Sequence, residues 1–194
     1  MKFNSGNSIA LLGGTFDPIH LGHAKVLSAI APKFDQIALI PTGDPWMKPE
    51  KPIATPKQRL EMCQAALEDL SDELQEKVFV MDIEVERKGQ TFTFDTLQSL
   101  RAFFPRDNFT LILGTDAALT FNKWKRFEDV NKMAEILVVK RPGSKISEFK
   151  EVEISALDIS STTIREEFAN KGSSELISPS VAKYIKTNGL YGSK

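Results

Sequence analysis

A short apolar run, then a loop, then a segment with helical spacing recurs along this chain, and no other feature constrains its fold as much. Apolar runs separated by helices pair as a mostly parallel sheet, with right-handed crossovers and helices on both faces. The runs lie at Ser8 to Leu12, Gln36 to Ile40, Val78 to Ile83, Phe109 to Leu113 and Glu135 to Lys140, with a further extended piece at Leu157 to Ile159. A helix is expected from Leu21. The next has a defined start: Thr55 as N-cap, Pro56 in the first turn and Gln58 completing a capping box, with Leu60, Cys63, Leu67 and Leu70 sharing one face. A third runs from Phe94 and must stop at Pro105, and the last is bracketed by Ser178, Pro179 and Gly189. At 194 residues this makes one α/β domain over 1–194, with a small helical part at its C-terminal end.

A parallel sheet of this kind binds ligands beyond the carboxyl ends of its strands. The segments placed there are Gly13 to His23, Pro41 to Lys48, Arg87 to Thr93, Gly114 to Asp116, Arg141 to Gly143 and Ser160 to Arg165, and all six are expected to face one crevice. A net charge of −1 leaves no global attraction for nucleic acid or an anionic membrane, so any anion site must be built locally. A single cysteine, Cys63, excludes an internal disulfide and suits a reducing, cytoplasmic setting. No apolar stretch reaches the length of a membrane span, and none near Met1 is long enough for a signal-peptide core.

The densest chemical signal is Gly13-Gly14-Thr15-Phe16-Asp17-Pro18-Ile19-His20-Leu21-Gly22-His23, which runs from the first strand into the first helix. Glycines permit close backbone approach, and a helix start offers unpaired amides to a polyanion. A glycine-rich turn is often only a turn, but both histidines of the chain fall within this one. His20 and His23 are therefore read as donors to phosphate oxygens. A zinc site is the weaker reading, because His-x-x-His lacks a third ligand at any fixed spacing. No G-x-x-x-x-G-K-[ST] occurs, and no G-x-G-x-x-G follows the first strand, which sets aside a P-loop enzyme and a nicotinamide-dependent dehydrogenase. Asp17 precedes a proline and is read as a turn-former.

Gly14 to His23 is similar to the G-x-F-D-P-x-H-x-G-H signature of the nucleotidyltransferase α/β-phosphodiesterase superfamily. Ile159-Ser160-Ser161-Thr162-Thr163-Ile164-Arg165 resembles its second signature, I-S-S-T-x-I-R. Within the superfamily the chain most resembles the bacterial nicotinate-nucleotide adenylyltransferases. Gly89 to Thr93 with Asp95-Thr96-Leu97, Gly114-Thr115-Asp116, Trp124, Arg141-Pro142-Gly143, Tyr184-Ile185 and Gly189-Leu190-Tyr191 extend the likeness. Where many members show a P-P-H-K-like loop, this chain has Asp44-Pro45-Trp46-Met47-Lys48, so only Lys48 carries over.

The resemblance implies a Rossmann-like fold and adenylyl transfer from ATP to nicotinate mononucleotide, giving deamido-NAD and pyrophosphate without a covalent intermediate. Magnesium would be held mainly through ATP phosphates. His20 and His23 take the catalytic role. ATP falls to Gly14, Thr15, Phe16, Gly22, Lys48, Gly114, Asp116, Arg141, Ser161, Thr162 and Arg165, and the acceptor to Phe92, Thr93 and Trp124. Three alternatives stay open: nicotinamide mononucleotide as acceptor, phosphopantetheine as acceptor, and a nucleotide-binding module without catalysis. Relatives acting on phosphopantetheine usually carry Thr at the position of His20, and the R-T-x-G-I-S-T segment of cytidylyltransferases does not occur here. Homo-oligomer formation is left open.

Overall fold

The computed structural model describes residues 6–46, 51–140, 148–154 and 159–193. In chain order the elements are β1 (Ser8–Gly14), α1 (Leu21–Ile30), β2 (Gln36–Pro41), β3 (Asp44–Pro45), α2 (Pro56–Leu67), α3 (Asp72–Lys77), β4 (Val78–Val80) and β5 (Gln90–Thr91). They continue with α4 (Thr93–Phe103), β6 (Asn108–Gly114), α5 (Thr115–Leu119), α6 (Phe127–Met133), β7 (Glu135–Lys140), β8 (Lys150–Glu153), α7 (Ser161–Lys171) and α8 (Pro179–Thr187). Six strands form a sheet in the order β4-β2-β1-β6-β7-β8, with every pairing parallel. The order reverses between β1 and β6, the switch point at which doubly wound sheets bind ligands. The pair β3 and β5 forms a separate short ribbon.

Period-two alternation divides each central strand between two cores. Ala10, Leu12, Ile37 and Leu39 meet Leu27 and Ile30 of α1, Met62 and Cys63 of α2, Ile164 and Phe168 of α7 and Val181 and Ile185 of α8. On the other face Ile9, Leu11, Ala38 and Ile40 pack with Phe94, Leu97 and Leu100 of α4 and Val130 of α6. Both faces are covered, as the apolar runs require.

The α2 capping box forms as its sequence implies: Thr55 Oγ1 accepts from the Gln58 amide at 3.3 Å, and Gln58 Oε1 accepts from the Thr55 amide at 2.9 Å. The final helix starts after Ser178 and gives way to Gly189 in the left-handed region. Three expectations need correction. A sixth strand, Lys150–Glu153, joins the five expected; of the extended piece expected at Leu157 to Ile159, 157 and 158 lie outside the described residues, and Ile159 is buried but not in a strand. Strand β8 lacks an apolar run because it is an edge, held by Lys140 to Glu151 at 2.8 Å and Lys150 to Glu135 at 2.9 Å. Strand β4 ends at Val80, three residues early, as the chain turns towards Glu84. On the expected α2 face Cys63 is buried and Leu67 and Leu70 pack against the core, but Leu60 does not; Arg59 and Met62 are buried instead, because a charged side chain has been taken into the core. No helix among the described residues is long and apolar enough to cross a membrane.

Candidate active site

At the carboxyl ends of the strands lies a cavity of about 800 Å³, in the size range of small-molecule sites. The β1–α1 turn forms one end. Phe16 adopts φ +50°, a left-handed conformation that costs a non-glycine residue energy and needs support from its surroundings. Its ring is buried, and a Cβ on Gly14 would come within 2.8 Å of it, so glycine here admits the phenylalanine. Gly22 does the same for His20, whose ring would lie 2.9 Å from an added Cβ. His20 is the N-cap of α1, and its backbone N–H donates to His23 Nδ1 at 3.1 Å. That bond occupies the Nδ1 lone pair, so neutral His23 carries its proton on Nε2 and uses Nε2 as its donor. The two imidazoles lie 3.8 Å apart between centroids, and the Phe16 edge abuts His23 at 4.9 Å.

The turn is secured from beneath by a buried polar cluster. Arg59 has no exposed surface and donates to the carbonyls of Thr15 at 2.7 Å, Gly43 at 2.8 Å and Ala54 at 3.3 Å. Burial lowers its affinity for its proton from the usual value, while the Asp17 carboxylate acts in the opposite direction. Asp17 accepts from the amides of Ile53 and Ala54 at 2.9 and 3.1 Å and from the Tyr191 hydroxyl at 2.7 Å. Burial and the Asp17 bond push the Tyr191 phenol up, so it stays a donor. Asp17 thus fills the structural role its sequence context suggested. Cys63 is fully buried and its thiol is pushed up by burial, which leaves it inert.

The far end is aromatic. Phe92 caps α4, whose first amides face away from the helix body, and Trp124, Phe92, Thr93 and Trp46 all line the cavity. Trp46 lies 5.6 Å from Phe92 between ring centroids. The Trp124 indole N–H is shielded from solvent and has no hydrogen-bond partner among the described residues. Glu84 is buried against the same cavity and accepts from Thr96 Oγ1 at 2.8 Å. Burial pushes its carboxyl up, and the Thr96 and Thr91 hydroxyls pull it partly back.

The cavity brings together Gly14, Thr15, His20, Gly22, His23, Phe92, Thr93, Gly114, Asp116 and Trp124. Phe16 sits in the core behind them. Ser161, Thr162 and Arg165 stand at the start of α7 next to Ile159, the last cavity-lining residue on that side. They hold the turn from outside: Ser161 Oγ donates to the Pro18 carbonyl at 3.0 Å, and Arg165 donates to the Asp17 carbonyl at 2.8 Å and to Thr162 Oγ1 at 3.1 Å. Lys48 and Arg141 lie outside the described residues. The sequence reading missed Arg59, Glu84 and Trp46. Trp46 fell within the Pro41 to Lys48 segment placed at the crevice, and Arg59 carried a signal in lying at i−3 and i−4 from Met62 and Cys63 on one helical face.

Comparison with known proteins identifies the family and the fold. The cytidylyltransferase-like family model matches residues 11–167. A protein of Hydrogenobaculum sp. named "Probable nicotinate-nucleotide adenylyltransferase" is 37% identical over 94% of this chain and 97% of its own. One of the same name from Paenarthrobacter aurescens is 35% identical over 93% and 89%. Among solved structures, the Plasmodium falciparum nicotinic acid mononucleotide adenylyltransferase complexed with NaAD superposes with a TM-score of 0.82. It covers 96% of this chain and 98% of its own at 24% identity, which speaks for the fold. The family model spans β1 through most of α7, and the relatives align over nearly the full length of both chains. This chain therefore belongs to the cytidylyltransferase-like family and, within it, to the nicotinate-nucleotide adenylyltransferases.

Proposed function

We propose that the protein transfers the adenylyl group of ATP to nicotinate mononucleotide, forming deamido-NAD and pyrophosphate, as a cytoplasmic step of NAD biosynthesis. The observation that carries this reading is one cavity with two imidazoles at a helix start at one end and a tryptophan beside an open helix start at the other. A phosphate oxygen of the acceptor attacks the α-phosphorus of ATP. The new P–O bond forms as the bond to the β-phosphate oxygen breaks, and the electron pair leaves with pyrophosphate. No protein nucleophile is needed, and catalysis comes from alignment and from donors aimed at the developing charge.

His20 and His23 donate at the α-phosphate and its bridging oxygen. Gly14, Thr15 and Gly22 supply the close backbone there, with Phe16 holding the turn's shape from behind. Gly114 and Asp116 receive the ribose. Lys48, Arg141, Ser161, Thr162 and Arg165 are assigned to the β- and γ-phosphates. Trp124 stacks on the pyridine, and the amides at Phe92 and Thr93 take its carboxylate. No three histidine, cysteine or carboxylate side chains converge among the described residues. Magnesium would ride on the ATP phosphates and neutralise their charge.

The test is pyrophosphate release from ATP and magnesium with nicotinate mononucleotide, nicotinamide mononucleotide or phosphopantetheine as acceptor. The highest kcat/KM is expected for the nicotinate acceptor, at least about tenfold above the amide, or 1.4 kcal/mol. A preference for phosphopantetheine, or no release with any acceptor, overturns the proposal.

A further inference from the structure

The acceptor end has an electrostatic difficulty. If the pyridine carboxylate lies at the start of α4, it meets an acid of the protein, Asp95 in the first turn of the helix. Asp116 lines the same cavity. A helix N-terminus is worth only about half a unit charge and is screened when exposed, so it does not by itself offset these carboxylates.

One side chain brings a full positive charge to this spot. Lys125 follows Trp124 and lines the cavity, with its Nζ 4.0 Å from the centre of the Phe92 ring and 3.9 Å from Asp95 Oδ2. Its position is set by its neighbours. The Trp124 amide donates to the Phe121 carbonyl at 3.0 Å, the Phe127 amide donates to the Trp124 carbonyl at 3.1 Å, and the Arg126 guanidinium lies 3.7 Å above the Phe94 ring. The segment is thus fixed by its own backbone bonds on either side of Lys125 and pinned to α4 through Arg126. The pair with Asp95 is long, and its side chains are 48% and 35% exposed, so it contributes little and leaves the ammonium with donors to offer.

We infer that Lys125 is the specificity-determining residue of the acceptor site: its ammonium, seated on Phe92, receives the pyridine carboxylate and makes the site prefer the acid over the amide. The inference rests on the proposed adenylyl transfer and adds to it the group that reads the charge. Trp124 cannot do so, because acid and amide present the same ring face. Backbone amides contribute, but with Lys125 removed the nearby acids make the local field unfavourable to a carboxylate.

The experiment compares wild type, Lys125→Met and Lys125→Arg, each checked for an unchanged melting temperature. kcat/KM is measured for nicotinate and nicotinamide mononucleotide at low and high sodium chloride. Lys125→Met keeps the apolar stem over Phe92. It is expected to lose about tenfold with the acid and no more than about twofold with the amide, which brings the acid-to-amide ratio close to one. Lys125→Arg should retain most of the preference. Salt should erode the wild-type ratio and leave that of Lys125→Met unchanged, a dependence that mere packing would not produce. A ratio within twofold of wild type in Lys125→Met overturns the inference while leaving adenylyl transfer intact. An equal fall with both acceptors overturns it in favour of a role in holding Trp124. A wild-type protein that adenylylates neither acceptor removes the proposed function and this inference together.

Discussion

At the β1–α1 end of the cavity the backbone is fastened from beneath by fully or largely buried groups, whereas at the β5–α4 end the rings of Trp46, Phe92 and Trp124 and the Lys125 side chain remain partly open to solvent beside the buried Glu84–Thr96 pair. The contrast matches two chemical tasks. A phosphorus centre under in-line attack tolerates little misplacement, so its donors sit on a helix start whose approach is pinned by Arg59, Asp17 and Tyr191. A flat pyridine with one charged substituent needs a face and a counter-charge. Trp124, Phe92 and Lys125 can supply both without buried hydrogen bonds of their own. Rigidity is thus concentrated where charge develops, and adaptability where the acceptor is selected.

The strongest way to break this contrast is Arg59→Met, which keeps the stem in the core and strips donors from three carbonyls. Unfolding free energy is expected to fall by about 3 to 5 kcal/mol, the usual cost of removing one member of a buried charged cluster, measured by denaturant titration. A loss under about 1 kcal/mol would mean that the turn is not held from below. Next is His20→Ala. Folding should persist while kcat drops by about 10² to 10³, as for loss of one charge-stabilising donor. Near wild-type turnover in the folded variant would place the chemistry elsewhere.

The opposite end should respond more mildly. Trp124→Ala is expected to weaken both pyridine acceptors alike, by about 1 to 3 kcal/mol, with kcat for bound acceptor much less affected. An unaltered acceptor KM would argue against stacking. The smallest effect concerns Glu84. Its carboxyl is raised in the folded protein, so as pH climbs from the ordinary carboxylate range towards the folded value, the unfolded chain releases a proton that the native state still holds. Stability falls with pH across that window and levels off above it. Glu84→Gln keeps an acceptor for Thr96 and removes this loss, so its stability relative to wild type should increase with pH through the window. A pH-independent difference in melting temperature would show that Glu84 is not held protonated.

The sequence disclosed these two ends unequally. At the phosphate end nearly everything but Arg59 could be read locally, because glycines, histidines and a helix start lie in one eleven-residue run. The central strands, the α2 cap and the end of α8 were legible for the same reason, since periodicity and capping are local. The bonding partners of Arg59 were not, because its three acceptors come from separate loops that only the folded chain assembles. At the acceptor end Trp124 and Phe92 were visible as residues, but their meeting with Trp46, Glu84 and Lys125 depends on the β3–β5 ribbon and on the packing of 124–127 against α4. Edge strand β8 escaped because its residues are mostly charged, with only Val152 packing against the core, so no apolar run marks it.

The polarity of the ligand in the cavity is the central claim, and the most direct measurement is a crystal structure with deamido-NAD bound. The account predicts the pyrophosphate bridge within about 2.6 to 3.2 Å of His20 and His23 donors and the pyridine ring stacked on Trp124, its carboxylate beside Lys125 and the Phe92 and Thr93 amides. A dinucleotide lying the other way, with adenine on Trp124 and the pyridine beyond Gly114, would contradict it.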